Sequence, residues 1–338
     1  MAKLRVGIIG GGGIANGAHL PVLSKRLDRI ELVGVADIDE GAAQKTAAKW
    51  NIARTVTNYS DLLPDVDAVY VCVPTHVHAQ ATIAALQAGK PVFCEKPMAR
   101  TRAQADAMKA ASEASGAPLQ LGFVRRFDDE WLAFRDAIQA GKLGDPVVWR
   151  DVQSHAGPWQ THWYHQDEQG GGPFLDGCIH NLDFALFLFG PAEWVFTHGR
   201  TLREGSTAID TGTATIHFAS GDELLLAWSW GLPPDVSGGR VFEFLGPRAT
   251  LTWPRDEPAG ATEARFTIND GKTREAVSFP RNALSQAFAR QVDEFLDVAE
   301  NKAKPRAGAD QGIAALDVGL AILESGRTGQ PVRVAQIS

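Results

Sequence analysis

The run Gly10-Gly11-Gly12-Gly13-Ile14-Ala15 satisfies G-x-G-x-x-A, between an apolar stretch ending at Ile9 and a helix-period stretch beginning near Ile14. In that setting Gly10 permits a tight turn, Gly12 lets the backbone approach a pyrophosphate, and Ala15 keeps the helix close to a sheet. The first N–H groups of the helix add unpaired donors and partial positive charge. A second apolar stretch ends at Asp37, roughly 20 residues past the turn, where a carboxylate accepts both ribose hydroxyls of an adenosine. That carboxylate repels a 2′-phosphate and Ile38 offers no charge to offset it, so NAD is preferred over NADP. A glycine run alone is also a flexible loop, and an Asp here is also a solvated turn residue; context and spacing favour the dinucleotide.

Two further segments carry groups that can hold or move protons. Glu95-Lys96-Pro97 directly follows the apolar run Val92–Cys94, at the carboxyl edge of a sheet, where ligands of open α/β folds bind. Gly170-Gly171-Gly172-Pro173 leads into Asp176 and His180, which share a face at i and i+4 of a helix, with Asp183 on roughly the same side. Each has a plainer reading: a surface lysine before a proline, a helix cap for Asp176, a satisfied core imidazole for His180.

The elements that must position these residues follow from texture. Apolar runs at Leu4–Ile9, Ile30–Ala36, Ala68–Val73, Val92–Cys94 and Leu119–Leu121 read as strands buried on both faces. Helix-period segments at Ile14–Leu27, Glu40–Trp50, His76–Ala88 and Arg102–Ser115 separate them, the last two stopped by Gly89 and Gly116. This alternation predicts a parallel sheet covered by helices. After about residue 122 the texture becomes strand-rich: Val147–Gln153, Thr213–Phe218, Glu223–Trp230, Val241–Leu245, Ala249–Trp253 and Ala264–Ile268, with helices at Phe127–Ala140, Phe174–Phe189 and Asp310–Ser325. Gly231–Gly239 and Pro254–Gly260 read as hairpin connections. The fold class is α/β: a parallel-sheet domain over 1–122, then an α+β domain over 123–338 with a mainly antiparallel sheet. The last helix is free to pack back on the first domain.

With 338 residues, 44% apolar and 22% charged, the chain has the composition of two globular domains. A net charge of -7 and the absence of any dense basic run argue against nucleic-acid binding. Cys72, Cys94 and Cys178 form no CxxC pair and read as a reducing compartment, so cytoplasmic. The N-terminal apolar stretch is too short for a signal peptide, and no apolar run is long enough to span a membrane.

Taken together, the glycine turn, Asp37, Pro74-Thr75-His76-Val77-His78, Glu95-Lys96-Pro97, Gly-Gly-Gly…Asp176…His180 and the Ser325-Gly326…Gly329 ending resemble the Gfo/Idh/MocA oxidoreductases over nearly the whole chain. The resemblance implies oxidation or reduction of a secondary alcohol on a sugar, cyclitol or related polyol with a nicotinamide cofactor. It implies a Rossmann dinucleotide-binding domain over 1–122, an α+β domain over 123–338 with a large, mainly antiparallel open sheet, and a homodimer or homotetramer through that C-terminal sheet. It places Gly10, Gly12, Gly13, Ile14, Ala15, Asp37, Pro74, Thr75, His78, Glu95 and Lys96 at the cofactor, and a cis peptide before Pro97. Lys96, Asp176 and His180 form its catalytic set. A neutral His180 suits the base that takes the hydroxyl proton, and cationic Lys96 suits the developing alkoxide. Asp176 suits a second hydroxyl and the charge on Lys96. Cys178 departs from the family's usual glycine. Rival readings are an enzyme that retains NAD and uses transient oxidation for elimination or glycosidic cleavage, a dinucleotide-binding regulator without catalysis, and metal-assisted hydrolysis.

For the substrate, aromatic residues beside polar groups suit sugar rings, which nominates Trp159 and Trp163 beside Lys96, Asp176 and His180; Arg125 or Arg126 can reach substrate or cofactor, and the resemblance favours Arg125. Trp131, at helical spacing from Phe127 and Phe134, reads as core, and Trp228 with Trp230 suits a subunit interface. His155, His162 and His165, with Asp167 and Glu168, match no tight metal-ligand motif, so no metal is expected.

Overall fold

The computed structural model describes residues 2–158, 162–253, 263–280 and 283–337. The chain divides into two compact units, Met1–Val124 with Ser285–Ile313, and Arg125–Leu284 with Ala314–Ser338.

In the first unit the apolar runs become β1 (Leu4–Ile9), β2 (Ile30–Ala36), β3 (Arg54–Val56), β4 (Ala68–Val71), β5 (Val92–Cys94) and β6 (Leu119–Leu121). Among the described residues they form one parallel sheet in the order β3-β2-β1-β4-β5-β6, which reverses direction at β1 and β4. Such a switch point opens a crevice at the carboxyl ends of the strands. The helices are α1 (Leu20–Leu23), α2 (Glu40–Trp50), α3 (Thr75–Gln87) and α4 (Arg102–Ser115). Thr101 and Gln104 close a reciprocal cap on α4, and Gly116 ends it at φ 71°. The expected helix over Ile14–Leu27 is shorter and mixed: a π-helical turn, Ala15–His19, runs into α1.

The second unit holds α5 (Asp129–Gln139), β7 (Val148–His155), α6 (Ile179–Phe189), β8 (Ala192–Arg200), β9 (Thr211–Phe218), β10 (Glu223–Ser229), β11 (Ser237–Leu245), β12 (Thr250–Thr252), β13 (Glu263–Asn269) and β14 (Arg274–Pro280). Later come α7 (Ala283–Ala299), α8 (Ala309–Thr328) and β15 (Val332–Arg333). Among the described residues nine strands form one mixed sheet, β14-β13-β12-β11-β7-β10-β9-β8-β15, in which β7 and β10 are parallel and the other pairs antiparallel. This is the α/β architecture the sequence implied. Along β9 burial alternates: Ala214, Ile216 and Phe218 are buried and Thr213 is exposed. Trp131 is core, edge-on to Phe184, Phe242 and Phe134 at centroid distances of 4.8, 5.5 and 5.8 Å.

The structure corrects several expectations. Residues 192–200 and 274–280 are strands and 283–299 a helix. From residue 285 on, α7 belongs to the first unit: Val292, Phe295 and Leu296 pack in one core with Val6, Ile8, Tyr70 and Phe93. The stretch Gly231–Gly239 is a shorter connection, because β11 begins at Ser237. Pro254–Gly260 lies outside the described residues. The single helix expected over Phe174–Phe189 is a π-helical turn, Pro173–Gly177, followed by α6. Trp228 and Trp230, each 6% exposed, are buried within the unit rather than offered to a partner. A Cβ on Gly177 would lie 2.6 Å from Trp230 Cζ2 and 3.1 Å from Trp228 Cζ3, so the bare glycine lets the turn rest on both indoles.

Candidate active site

The glycine turn leaves β1 through Gly10, which sits at φ +99°, and a Cβ there would lie 2.5 Å from the carbonyl oxygen of Cys72. Only glycine fits this approach of two strand ends. Around Gly12 and Gly13, by contrast, a Cβ would meet nothing within 4 Å, so the turn is open where a ligand's phosphates must come close. Asp37 Oδ2 accepts the Gly11 N–H at 2.8 Å and Oδ1 accepts the Asp39 N–H at 3.0 Å. The carboxylate therefore braces the turn and stands half-exposed beside it. Asn16 Nδ2 donates to the carbonyls of Gly11 and Gly12, and Thr46 Oγ1 donates to that of Gly11. Neither residue was singled out from sequence, because a lone Asn or Thr on a helix carries no spacing signal. A cavity of about 680 Å³ runs along this edge, lined among others by Gly10, Gly12, Asp37, Tyr59, Pro74 and His76. Ile14 and Ala15 begin the helical run behind the turn, with Ala15 fully buried.

Pro74 caps α3 and Thr75 opens it. His78 is 1% exposed, with Nδ1 2.7 Å from the carbonyl oxygen of Pro97 and Nε2 2.8 Å from that of Val73. It ties the end of β4 to the segment after β5. The Lys96–Pro97 peptide is cis, and Lys96 is half-buried. The Glu95 side chain points inward, 2.7 Å from His19 Nε2. Burial pushes its carboxyl up, but the hydrogen bond and charge of His19, with the charge of Lys96, hold it below the usual carboxylate range. The one sequence signal of His19 is a histidine one helical turn past Ala15.

In the second unit, Asp176 is 4% exposed on the π-helical turn and His180 lies half-buried in the first turn of α6, with its Nδ1 buried. The two therefore sit on consecutive helical pieces rather than on one α-helix. Asp183 faces inward and accepts from Arg126 Nε at 2.9 Å and Nη2 at 2.7 Å. Arg125 stacks its guanidinium 3.8 Å from the centroid of Trp131, and burial pushes its pKa down to about 10. Nearby, Asp151 accepts from Asn181 Nδ2, and burial pushes its carboxyl up to about 6 against the charges of Arg125 and Arg240. Trp163 stacks on Tyr164 at 3.8 Å, while Trp159 lies outside the described residues. Cys178 is fully buried, its Sγ bonded to the Phe174 carbonyl, so it fills the joint between turn and helix. His165 pairs with Arg203, and among the described residues no three His, Cys, Asp or Glu side chains gather as metal ligands.

Residues 4–123 match the family described as "Oxidoreductase family, NAD-binding Rossmann fold", and residues 131–252 match the GFO/IDH/MocA C-terminal domain. The chain belongs to the Gfo/Idh/MocA oxidoreductases. It is 32% identical to the myo-inositol 2-dehydrogenase of Thermotoga maritima over 64% of this chain and 66% of that protein, just under two thirds of its length. The inositol 2-dehydrogenase of Rhizobium meliloti is 26% identical over 98% of this chain and 99% of its own. An oxidoreductase structure from Thermotoga maritima matches 100% of both chains with a TM-score of 0.86 at 23% identity, a likeness of fold. A dinucleotide fits what this Gfo/Idh/MocA chain presents: an open glycine turn, a carboxylate at the end of β2 and a cavity between them. Among the described residues no helix is long and apolar enough to cross a membrane.

Proposed function

We propose that the protein is an NAD-dependent dehydrogenase acting on a secondary alcohol of a sugar, cyclitol or related polyol. The observation that carries this reading is the placement of Lys96 at the carboxyl end of β5, on the same sheet edge as the glycine turn and Asp37. NAD, when bound, supplies the hydride acceptor.

The chain's own residues do the rest. Asp37 takes the ribose hydroxyls and disfavours a 2′-phosphate, while Gly12, Gly13 and the first N–H groups of the helical run behind them hold the pyrophosphate. Pro74, Thr75 and the peptide around Glu95 and Lys96 border the cofactor, with His78 fixing that border through two carbonyls. His180 takes the hydroxyl proton through Nε2, since Nδ1 is buried. Lys96 stabilises the developing alkoxide, and Asp176 accepts a neighbouring hydroxyl. Arg125 and the Trp163–Tyr164 stack, with Trp159, serve the sugar ring. We assign the 1–122 segment to the cofactor and the 123–338 segment to substrate and self-association, with a second copy on the open face of the nine-stranded sheet.

The test is NADH formation at 340 nm across inositols, aldoses, anhydrosugars and glycosides. A rising trace on one class supports the reading; a flat trace with NAD held tightly transfers it to the retained-cofactor chemistry. Lys96→Met is expected to keep NADH binding, read by fluorescence, and to lose roughly 10²–10³-fold in kcat.

A further inference from the structure

His19 has no exposed surface, and its ring packs against Tyr70, Phe93 and Phe288 at centroid distances of 5.4, 4.9 and 5.8 Å. Nothing in that aromatic cage calls for an imidazole. A phenyl ring would fill it without the desolvation that burying a polar ring costs. What the imidazole adds is one directed bond, Nε2 to Glu95 Oε1 at 2.7 Å. The other carboxylate oxygen, Oε2, accepts the backbone N–H of Lys96 at 3.1 Å. Glu95 is 6% exposed, and a Cβ on Gly122 would stand 2.9 Å from Oε2, so the carboxylate is enclosed as well as bonded. Because the carboxyl is held in its anionic form, Nε2 is the donor. A buried imidazole–carboxylate pair adds little to stability over apolar packing. Its geometry instead ends at the peptide from which the Lys96 side chain departs.

We propose that His19 and Glu95 are a positioning pair for Lys96, the imidazole fixing the carboxylate and the carboxylate fixing the lysine's own backbone N–H. The pair touches neither the substrate nor the reacting atoms. It sets the lysine's backbone and places a negative charge one residue from its ammonium. The kinetic half of this inference rests on the dehydrogenase reading; the structural half does not.

The experiment measures two quantities in the full chain, wild type against His19→Phe, His19→Gln, Glu95→Gln and Gly122→Ala. The first is the pH midpoint of Lys96 reductive methylation, read by peptide mass spectrometry without any substrate. The second is the split between kcat and KM for NAD. In Glu95→Gln the midpoint is expected to fall by about one unit, because a neighbouring anion is gone. In His19→Phe it is expected to fall similarly, because the unsupported buried carboxylate takes up a proton. In both, kcat is expected to drop about 10- to 100-fold with KM for NAD near wild type, as a misplaced reacting group would give. His19→Gln, whose amide nitrogen reproduces the Nε2 donor, recovers both quantities. Folded His19→Phe and Glu95→Gln proteins with unchanged midpoint and kcat would overturn the proposal and leave the pair as core filling. Should His19→Phe not fold, Gly122→Ala, which presses a methyl onto the same carboxylate, decides by the same readouts. If wild type turns over no alcohol, the methylation midpoints still decide the positioning role, and the failure falls on the dehydrogenase reading alone.

Discussion

At the scale of single residues, charge and burial separate groups that face a ligand from groups that hold the frame. Asp37 does both, since the carboxylate proposed for the ribose also accepts the Gly11 N–H. Asp37→Ala is expected to narrow the NAD-to-NADP ratio of kcat/KM by roughly tenfold or more, about 1.4 kcal/mol, measured with the two cofactors side by side. Asp151 is a framing carboxyl. Burial raises it to about 6 in the folded chain, against about 3.9 in an unfolded one. Its favourable contribution to folding is therefore complete below the unfolded value and is lost as pH rises through about 6. Asp151→Asn removes that loss, and the expected outcome is a Tm that gains on wild type at pH 8 but not at pH 4, by no more than about 3 kcal/mol in stability. Thermal melts across pH check it. As candidates, the glycines, Asp37, Lys96, Asp176 and His180 stand out in the sequence because their spacing is local. His19, Thr46 and Asp151 do not, because each meets its partner across 30 or more residues, as His19 meets Glu95, and Asn16 does not, because a lone Asn behind a glycine turn carries no spacing signal.

At the scale of elements, most strands of the first unit were readable because buried parallel strands are unbroken apolar runs. Helix α7 has a regular apolar stripe, but the stripe does not say which sheet it will cover. The break between the π-helical turn and α6 was equally hidden. There Gly177 rests on Trp228 and Trp230, which follow it by some 50 residues. Gly177→Ala is expected to push the turn carrying Asp176 off those indoles. The cost is about 1–3 kcal/mol in urea unfolding, with a kcat loss per folded molecule larger than any change in NAD binding. A variant with normal stability and normal kcat would show that the turn has room to shift.

At the scale of the whole molecule, the first unit is discontinuous in sequence. Its sheet comes from the first 124 residues, but Val292, Phe295 and Leu296 complete the core over Tyr70 and Phe93. A fragment of residues 2–124 is therefore expected to expose an aromatic face, bind a hydrophobic dye and scatter light on standing, whereas the full chain does neither. Texture places the division at residue 122 and leaves the last helix free to pack back, but it does not point to this return of α7. Its consequence is felt during synthesis. About 160 residues separate Val124 from Ser285, and at 5–20 residues per second the ribosome needs roughly 10 to 30 s to deliver them. For that interval the nascent nucleotide-binding sheet waits with its aromatic face uncovered, so chaperone demand in the cell should track translation speed through the middle of the message.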